Sequence, residues 1–111
     1  MSRIIEFADT PTPTLRCTGD EDRTTQSRRR QALVRALGAD TDVRVDLREL
    51  VFADSSLMVD LAMLSRRLRG RGRTLLLSVA GAHPQIVTLI ENVGLHRLPG
   101  VRIDGYWPAL A

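Results

Sequence analysis

Short apolar segments that suit β-strands alternate along this chain with longer segments whose apolar residues recur at helical spacing. Residues 43–47 alternate apolar with charged side chains, a period of two that predicts a strand with one buried face. Residues 57–68 carry leucines three and four positions apart, which predicts an amphipathic helix. Strands that alternate with helices favour right-handed β-α-β crossovers and therefore a largely parallel sheet.

The same patterns predict eight elements in the order β-β-α-β-α-β-α-β. Strands are expected at 4–7, 15–17, 43–47, 74–79 and 101–103, and helices at 24–38, 57–70 and 84–94. The expected fold class is α/β, a mixed and mostly parallel β-sheet with helices packed on it, or α+β if the first two strands are antiparallel. Because the chain has only 111 residues, we expect a single domain spanning residues 1–111.

Composition argues against membrane, secreted and metal-binding classes. The longest apolar stretches, such as 75–79, are far shorter than the ~20 residues that span a bilayer, and the N-terminus lacks the features of a secretory signal. We therefore expect a cytoplasmic protein with no membrane partner. Cys17 is the only cysteine and is predicted to be a small core residue in a strand. With only two histidines and no paired cysteines, the sequence predicts no metal and no cofactor.

The charged residues suggest nucleic acid at first, because all sixteen basic residues are arginine and the net charge is +3. The arginines cluster at 28–30 and 66–73, but carboxylates are interspersed through most of the chain. We interpret both clusters as solvated outer faces of helices and expect no direct contact with nucleic acid. An arginine-driven nucleic-acid binder is the alternative, and it predicts binding that weakens steeply with salt. Asp20, Glu21 and Asp22 are interpreted as a solvated acidic loop.

A catalytic site is not predicted. Ser55 and Ser56 lie at a strand-to-helix turn that faintly resembles a nucleophile elbow, but the flanking glycines of that motif are missing. His83 and His96 are expected on the surface, and their spacing brings neither to the serines. We therefore expect a protein without catalytic residues of its own. Asp54 and the two serines suit an N-terminal helix cap.

At this turn the sequence resembles the STAS domain family. The similarity runs from strand 43–47 through Asp54-Ser55-Ser56 and the leucine helix to Gly94-Leu95, and residues 19–22 look like that family's Gly-x-x-Asp loop. The resemblance extends over about residues 14–103. In size the chain is most similar to the bacterial anti-sigma factor antagonists within that family.

This resemblance implies a binding protein controlled by phosphorylation. In the family the first hydroxyl residue of the turn, here Ser55, is phosphorylated by a cognate anti-sigma factor with serine kinase activity. The unmodified protein would sequester that partner and so free a sigma factor, ATP would belong to the partner, and a phosphatase would reverse the modification. Leu57 stands where the family usually has glycine, which supports an alternative: a STAS scaffold module that is not phosphorylated. The oligomeric state is left open.

The expected partner surface surrounds Ser55. Helix 57–70 is apolar on more than one face, and exposed apolar side chains beside a modifiable polar rim are typical of a protein-binding patch. The predicted partner-binding residues are Asp22, Arg23, Asp54, Ser55, Ser56, Met58 and Val59. Among them, Met58 and Val59 are predicted to supply the exposed apolar surface, and the alternative is that both are ordinary core residues.

Overall fold

A computed structural model describes residues 5–8, 12–38 and 40–104, and within them it has five strands and three α-helices. Their order is the predicted one. The elements are β1 (Ile5–Ala8), β2 (Thr14–Glu21), α1 (Gln26–Gly38), β3 (Val43–Ala53), α2 (Ser55–Gly70), β4 (Leu75–Ser78), α3 (Pro84–Val93) and β5 (Val101–Asp104). Two short 3-10 turns, Arg23–Thr25 and Leu95–Arg97, precede α1 and follow α3.

The five strands form one mixed sheet in the order β1-β2-β3-β4-β5. β1 pairs with β2 in the antiparallel direction, and the other three pairings are parallel. The parallel neighbours are joined by α1, α2 and α3, as expected for β-α-β crossovers. The predicted mixed, mostly parallel α/β fold is therefore confirmed. The first pair is antiparallel, but the α+β alternative does not apply because the rest of the sheet consists of parallel β-α-β units.

The helices pack on one face of the sheet and close a single apolar core. Val43, Val45 and Leu47 are fully buried, as their alternation predicted, and lie in one cluster with residues from all three helices. The leucine stripe of α2 is buried as well. Because burying one leucine side chain contributes about 1.5–3 kcal/mol, this stripe is a large part of what fixes α2 to the sheet.

The opposite face of the sheet carries paired charges. Arg16 of β2 lies beside Asp46 of β3 in register, and Asp46 accepts a 2.8 Å hydrogen bond from Arg48. Arg44 forms an ion pair with Asp104 of β5. Arg16, Arg44 and Arg48 are therefore each matched by a carboxylate on this face.

Strand β2 extends further than predicted and corrects the interpretation of the acidic segment. Asp20 and Glu21 belong to β2, with Glu21 opposite Ala53 at the end of β3, so they are not part of a solvated loop. The pairing register shifts between Gly19 and Asp20, where Gly19 has a φ of 67°, and Glu21 lies beyond this irregularity with its side chain buried. Asp22 alone of the three caps a turn.

The structure confirms the predicted positions of His83 and Cys17 and contradicts the one predicted for His96. His83 is exposed at the start of α3, as expected, but His96 is buried in the 3-10 turn after α3. The surface prediction for His96 was wrong because the chain reverses at Gly94, whose φ of 73° ends α3 and folds the next turn inward. Cys17 is buried in β2 as predicted, and burial raises the pKa of its thiol. Among the described residues, we find no helix with the length and apolar character needed to cross a membrane.

Candidate functional site

Asp54 lies between β3 and α2 and is held by neighbours on both sides. Its backbone is extended, with φ −107° and ψ −178°, and its Oδ1 accepts a 2.9 Å hydrogen bond from the backbone N–H of Ser56. Its Oδ2 accepts a 3.1 Å bond from the N–H of Arg23, and its own N–H donates to the carbonyl of Glu21 at 3.0 Å. The predicted N-cap is confirmed. Asp54 also ties the start of α2 to the end of β2.

The carboxyl group of Asp54 is ionised at neutral pH. Partial burial opposes ionisation, but hydrogen bonds from the Ser56 hydroxyl, the Ser56 N–H and the Arg23 N–H outweigh it and lower the pKa of Asp54. A negative charge at this position is favourable because the N-terminus of a helix carries partial positive charge. The site therefore already contains one anion beside the two serine hydroxyls.

The two serines occupy different environments. The Ser56 hydroxyl donates to Asp54 Oδ1 and accepts a 3.1 Å hydrogen bond from Nη2 of Arg29. Ser55 is the first residue of α2 and is exposed, and its hydroxyl has no hydrogen-bond partner in the described part of the chain. Of the two hydroxyls, only that of Ser55 is therefore free to react or to contact a partner.

Behind the turn lies a buried arginine that sequence analysis missed. Arg29 of α1 is fully buried and donates through Nη1 to Oε1 of Glu21, and through Nε to Oδ2 of Asp60 at 2.7 Å. The prediction that residues 28–30 form a solvated face was correct for Arg28 and Arg30 but wrong for Arg29. Arg29 precedes the buried residues Leu33 and Ala36 by four and seven positions, and this spacing was the signal available in the sequence.

Glu21 completes this cluster from the sheet. Its side chain is fully buried, and the Thr25 hydroxyl lies 3.2 Å from Oε1, whereas Oε2 has no hydrogen-bond partner within the residues that the structure describes. Burial raises the pKa of Glu21, although the hydrogen bond and charge of Arg29 oppose the shift. Arg29 therefore connects β2, α1 and the first turns of α2 through charged groups that have little access to water.

The structure brings the predicted partner-binding residues together, but one of them is buried. Asp22 and Arg23 adjoin Asp54, and Val59 is 57% exposed one turn after Ser55. Met58 is only 2% exposed, so its predicted place on an exposed patch was wrong. The reason is that α2 packs against α3 as well as against the sheet, so α2 has a second buried side.

A shallow hollow of about 160 Å³ adjoins Ser55 on the α3 side of α2. Met58 lines its floor, and Val59 and Val93 stand at its edge. Leu57 is fully buried in the core, so the side chain at this position packs beneath α2. An apolar recess thus borders the free hydroxyl of Ser55.

Metal-ligating side chains do not converge at this site or elsewhere in residues 12–38 and 40–104, where no group of three or more could hold an ion. The polar groups that do converge are the carboxylates and hydroxyls around Arg29 and Asp54. Their arrangement suits a capped and rigid surface turn.

Comparison with known proteins identifies the family. A family model described as "Mlab, STAS domain" matches residues 7–101. The chain belongs to the STAS domain family. This STAS domain is similar in structure to the anti-sigma factor antagonist SpoIIAA in its unphosphorylated form, with a TM-score of 0.67 over 90% of this chain and 86% of that chain. Sequence identity is 17%, so the similarity shows a shared fold. No curated protein matches this STAS domain in sequence.

Proposed function

We propose that this STAS domain is an anti-sigma factor antagonist controlled by phosphorylation of Ser55. In the unmodified state it binds an anti-sigma factor with serine kinase activity in the cytoplasm, and this binding releases a sigma factor. The observation that carries the proposal is the free hydroxyl of Ser55 at the start of α2, next to the capping carboxylate of Asp54. The fold similarity to SpoIIAA, whose described form is unphosphorylated, supports the same assignment.

The folded domain can accept a phosphate at Ser55. A phosphoserine carries about −1.5 to −2 charges and three acceptor oxygens. Ser55 is exposed, so the group projects into water, and it lies at a helix N-terminus, where backbone N–H groups and the helix dipole favour anions. Modification therefore changes the surface without requiring a change in the core.

A bound partner would accept the phosphate less readily. The new dianion would lie beside the ionised Asp54 and near Asp22, so a partner seated there would face a bulky dianion together with two neighbouring carboxylates. Desolvating that cluster in an interface is costly. Because ~1.4 kcal/mol changes affinity tenfold, a modest part of this cost is enough to separate the complex.

Ser55 is a better phosphate acceptor than Ser56. Phosphorylating Ser56 would replace a hydroxyl that donates to Asp54 with a dianion against the same carboxylate. It would also disturb the hydrogen bond from Arg29. The domain supplies only the acceptor hydroxyl, while ATP and the catalytic groups belong to the kinase, and a phosphatase restores the unmodified state.

Phosphorylation assays with anti-sigma factors that have serine kinase activity, taken from the same genome, test the proposal. Wild type, Ser55→Ala and Ser56→Ala are incubated with each kinase and ATP, and the modified residue is located by mass spectrometry. We expect phosphate on wild type and Ser56→Ala but not on Ser55→Ala, with loss of kinase binding after modification. Phosphate at Ser56 alone would refute the assignment. Tight binding without any phosphorylation would favour the scaffold alternative.

A further inference from the structure

A second surface, which shares Val59 with the hollow beside Ser55, lies between the outer sides of α1 and α2. It is a groove of about 440 Å³ whose floor includes Leu33 and Leu64. Its apolar edges are strongly exposed: Val34 by 66%, Val59 by 57% and Met63 by 51%. Soluble domains rarely leave several large apolar side chains exposed side by side, so this groove is a candidate binding surface.

The unpaired charges around the groove have one sign. Helices α1 and α2 together contain seven arginines and one acidic residue, Asp60, which lines the groove but is neutralised by Arg29. Arg30 and Arg67 line the groove and have no ion-pair partner among the residues described, 12–38 and 40–104. These two helices therefore differ from the outer face of the sheet, where arginines and carboxylates are paired.

We infer that this groove binds an acidic amphipathic helix of a partner protein. Apolar side chains of such a helix would enter between Val34 and Met63, while carboxylates on its flanks would pair with Arg30 and Arg67. Val59, Met63 and Arg67 are spaced by four residues on α2 and span about 12 Å along its axis, the length of roughly two turns of a bound helix.

The shape of the surface favours a helix over an anionic membrane. Arginines with exposed apolar residues also suit lipid headgroups, but a membrane receives a convex apolar ridge, and this surface is concave. The inference does not rest on the proposed function: the groove shares Val59 with the hollow beside Ser55, but Ser55 itself does not line it. Phosphorylation of Ser55 should accordingly leave binding in the groove unchanged.

The test uses a designed fluorescent peptide and fluorescence anisotropy. The peptide is a helix of about 16 residues with a leucine stripe flanked by glutamates, and a matched peptide carries lysines in place of the glutamates. Binding is measured to wild type, Met63→Glu, Arg67→Glu and Ser55→Glu. Two control variants place the same charges elsewhere: Val51→Glu at an exposed site on β3, and Arg102→Glu on β5.

We expect saturable binding of the acidic peptide to wild type, Ser55→Glu and both controls, weakened about tenfold or more by Met63→Glu and by Arg67→Glu. Binding should also weaken with added salt because the rim charges are exposed. Equal binding of the lysine peptide, equal binding by Met63→Glu, or no saturable binding to wild type would overturn the inference. Binding to anionic vesicles but not to the acidic peptide would overturn it in favour of a membrane.

Discussion

Replacing Arg29 with methionine should destabilise the fold far more than replacing either neighbouring arginine. The change keeps much of the side-chain volume but leaves the fully buried Glu21 without its cation and removes a donor from Ser56. Breaking a buried ion pair by removing one partner typically costs about 3–5 kcal/mol. For 111 residues the entropy of unfolding corresponds to about 4 °C per kcal/mol, so we expect Tm to fall by about 12–20 °C.

The assay is urea and thermal unfolding of the variant, followed by circular dichroism, with Arg28→Met and Arg30→Met as controls. Both control arginines are exposed in the same helix, so their loss should change the free energy of unfolding by no more than about 0.5 kcal/mol. If the free energy of unfolding of Arg29→Met lies within about 1 kcal/mol of that of the controls, the buried ion pair does not stabilise the fold as argued.

The pH dependence of Arg29→Met adds a second check. Burial raises the pKa of Glu21, and removing Arg29 removes the hydrogen bond and charge that oppose this shift. The folded variant should therefore hold a proton on Glu21 more tightly than the unfolded chain, in which a glutamate titrates near 4.5. Its stability should fall as the pH rises above 4.5 and recover as the pH returns toward that value. The double variant Glu21→Gln/Arg29→Met should lose less stability at pH 7 than Arg29→Met alone.

Three further predictions concern the start of α2. Ser55→Ala should bind the anti-sigma factor at all times, and calorimetry should show that Ser55→Glu binds it about tenfold more weakly. If Ser55→Ala, Ser55→Glu and the phosphorylated protein bind with equal affinity, Ser55 is not the switch. Met58→Glu should unfold because Met58 is buried, whereas Val59→Glu should stay folded and lose partner affinity; a folded Met58→Glu that binds normally would contradict this placement. Asp54→Ala should lose about 1 kcal/mol of stability at pH 7. The folded pKa of Asp54 is lowered, so the difference in stability between wild type and Asp54→Ala should be fully present above the unfolded pKa of 3.8. It should shrink as the pH falls through the folded pKa of Asp54. A difference in stability that does not depend on pH would contradict the role of the carboxylate.

Periodicity in the sequence was enough to predict the elements and their order. The alternation in 43–47 and the leucine spacing in 57–68 each report one buried face, which a strand or helix shows whatever its neighbours are. The ends of the strands were harder to predict from the sequence. Glu21 joins β2 because β3 continues alongside it as far as Ala53, and no pattern within residues 19–21 shows that a partner strand is there.

The missed parts of the site all depend on contacts between distant residues. Arg29 and Glu21 each have a type of side chain that is almost always exposed, and they are buried here because each neutralises the other. Met58 was misplaced because its environment depends on where α3 lies, which the spacing within α2 does not encode. The distinction between Ser55 and Ser56 has the same origin, since Arg29 engages one hydroxyl from another helix.

The Asp-Ser-Ser turn is contiguous in the sequence, yet its shape depends on residues more than thirty positions earlier. The carbonyl of Glu21 and the N–H of Arg23 hold Asp54 in place, and both residues precede α1 in the chain, whereas Asp54 follows it. A peptide with the sequence of residues 50–60 would therefore contain the motif but would not adopt its folded conformation. An enzyme that recognises this turn in its folded form distinguishes a finished molecule from a nascent or damaged one. On the proposed function, the extent of phosphorylation would then depend on the number of folded domains and not simply on the number of chains synthesised.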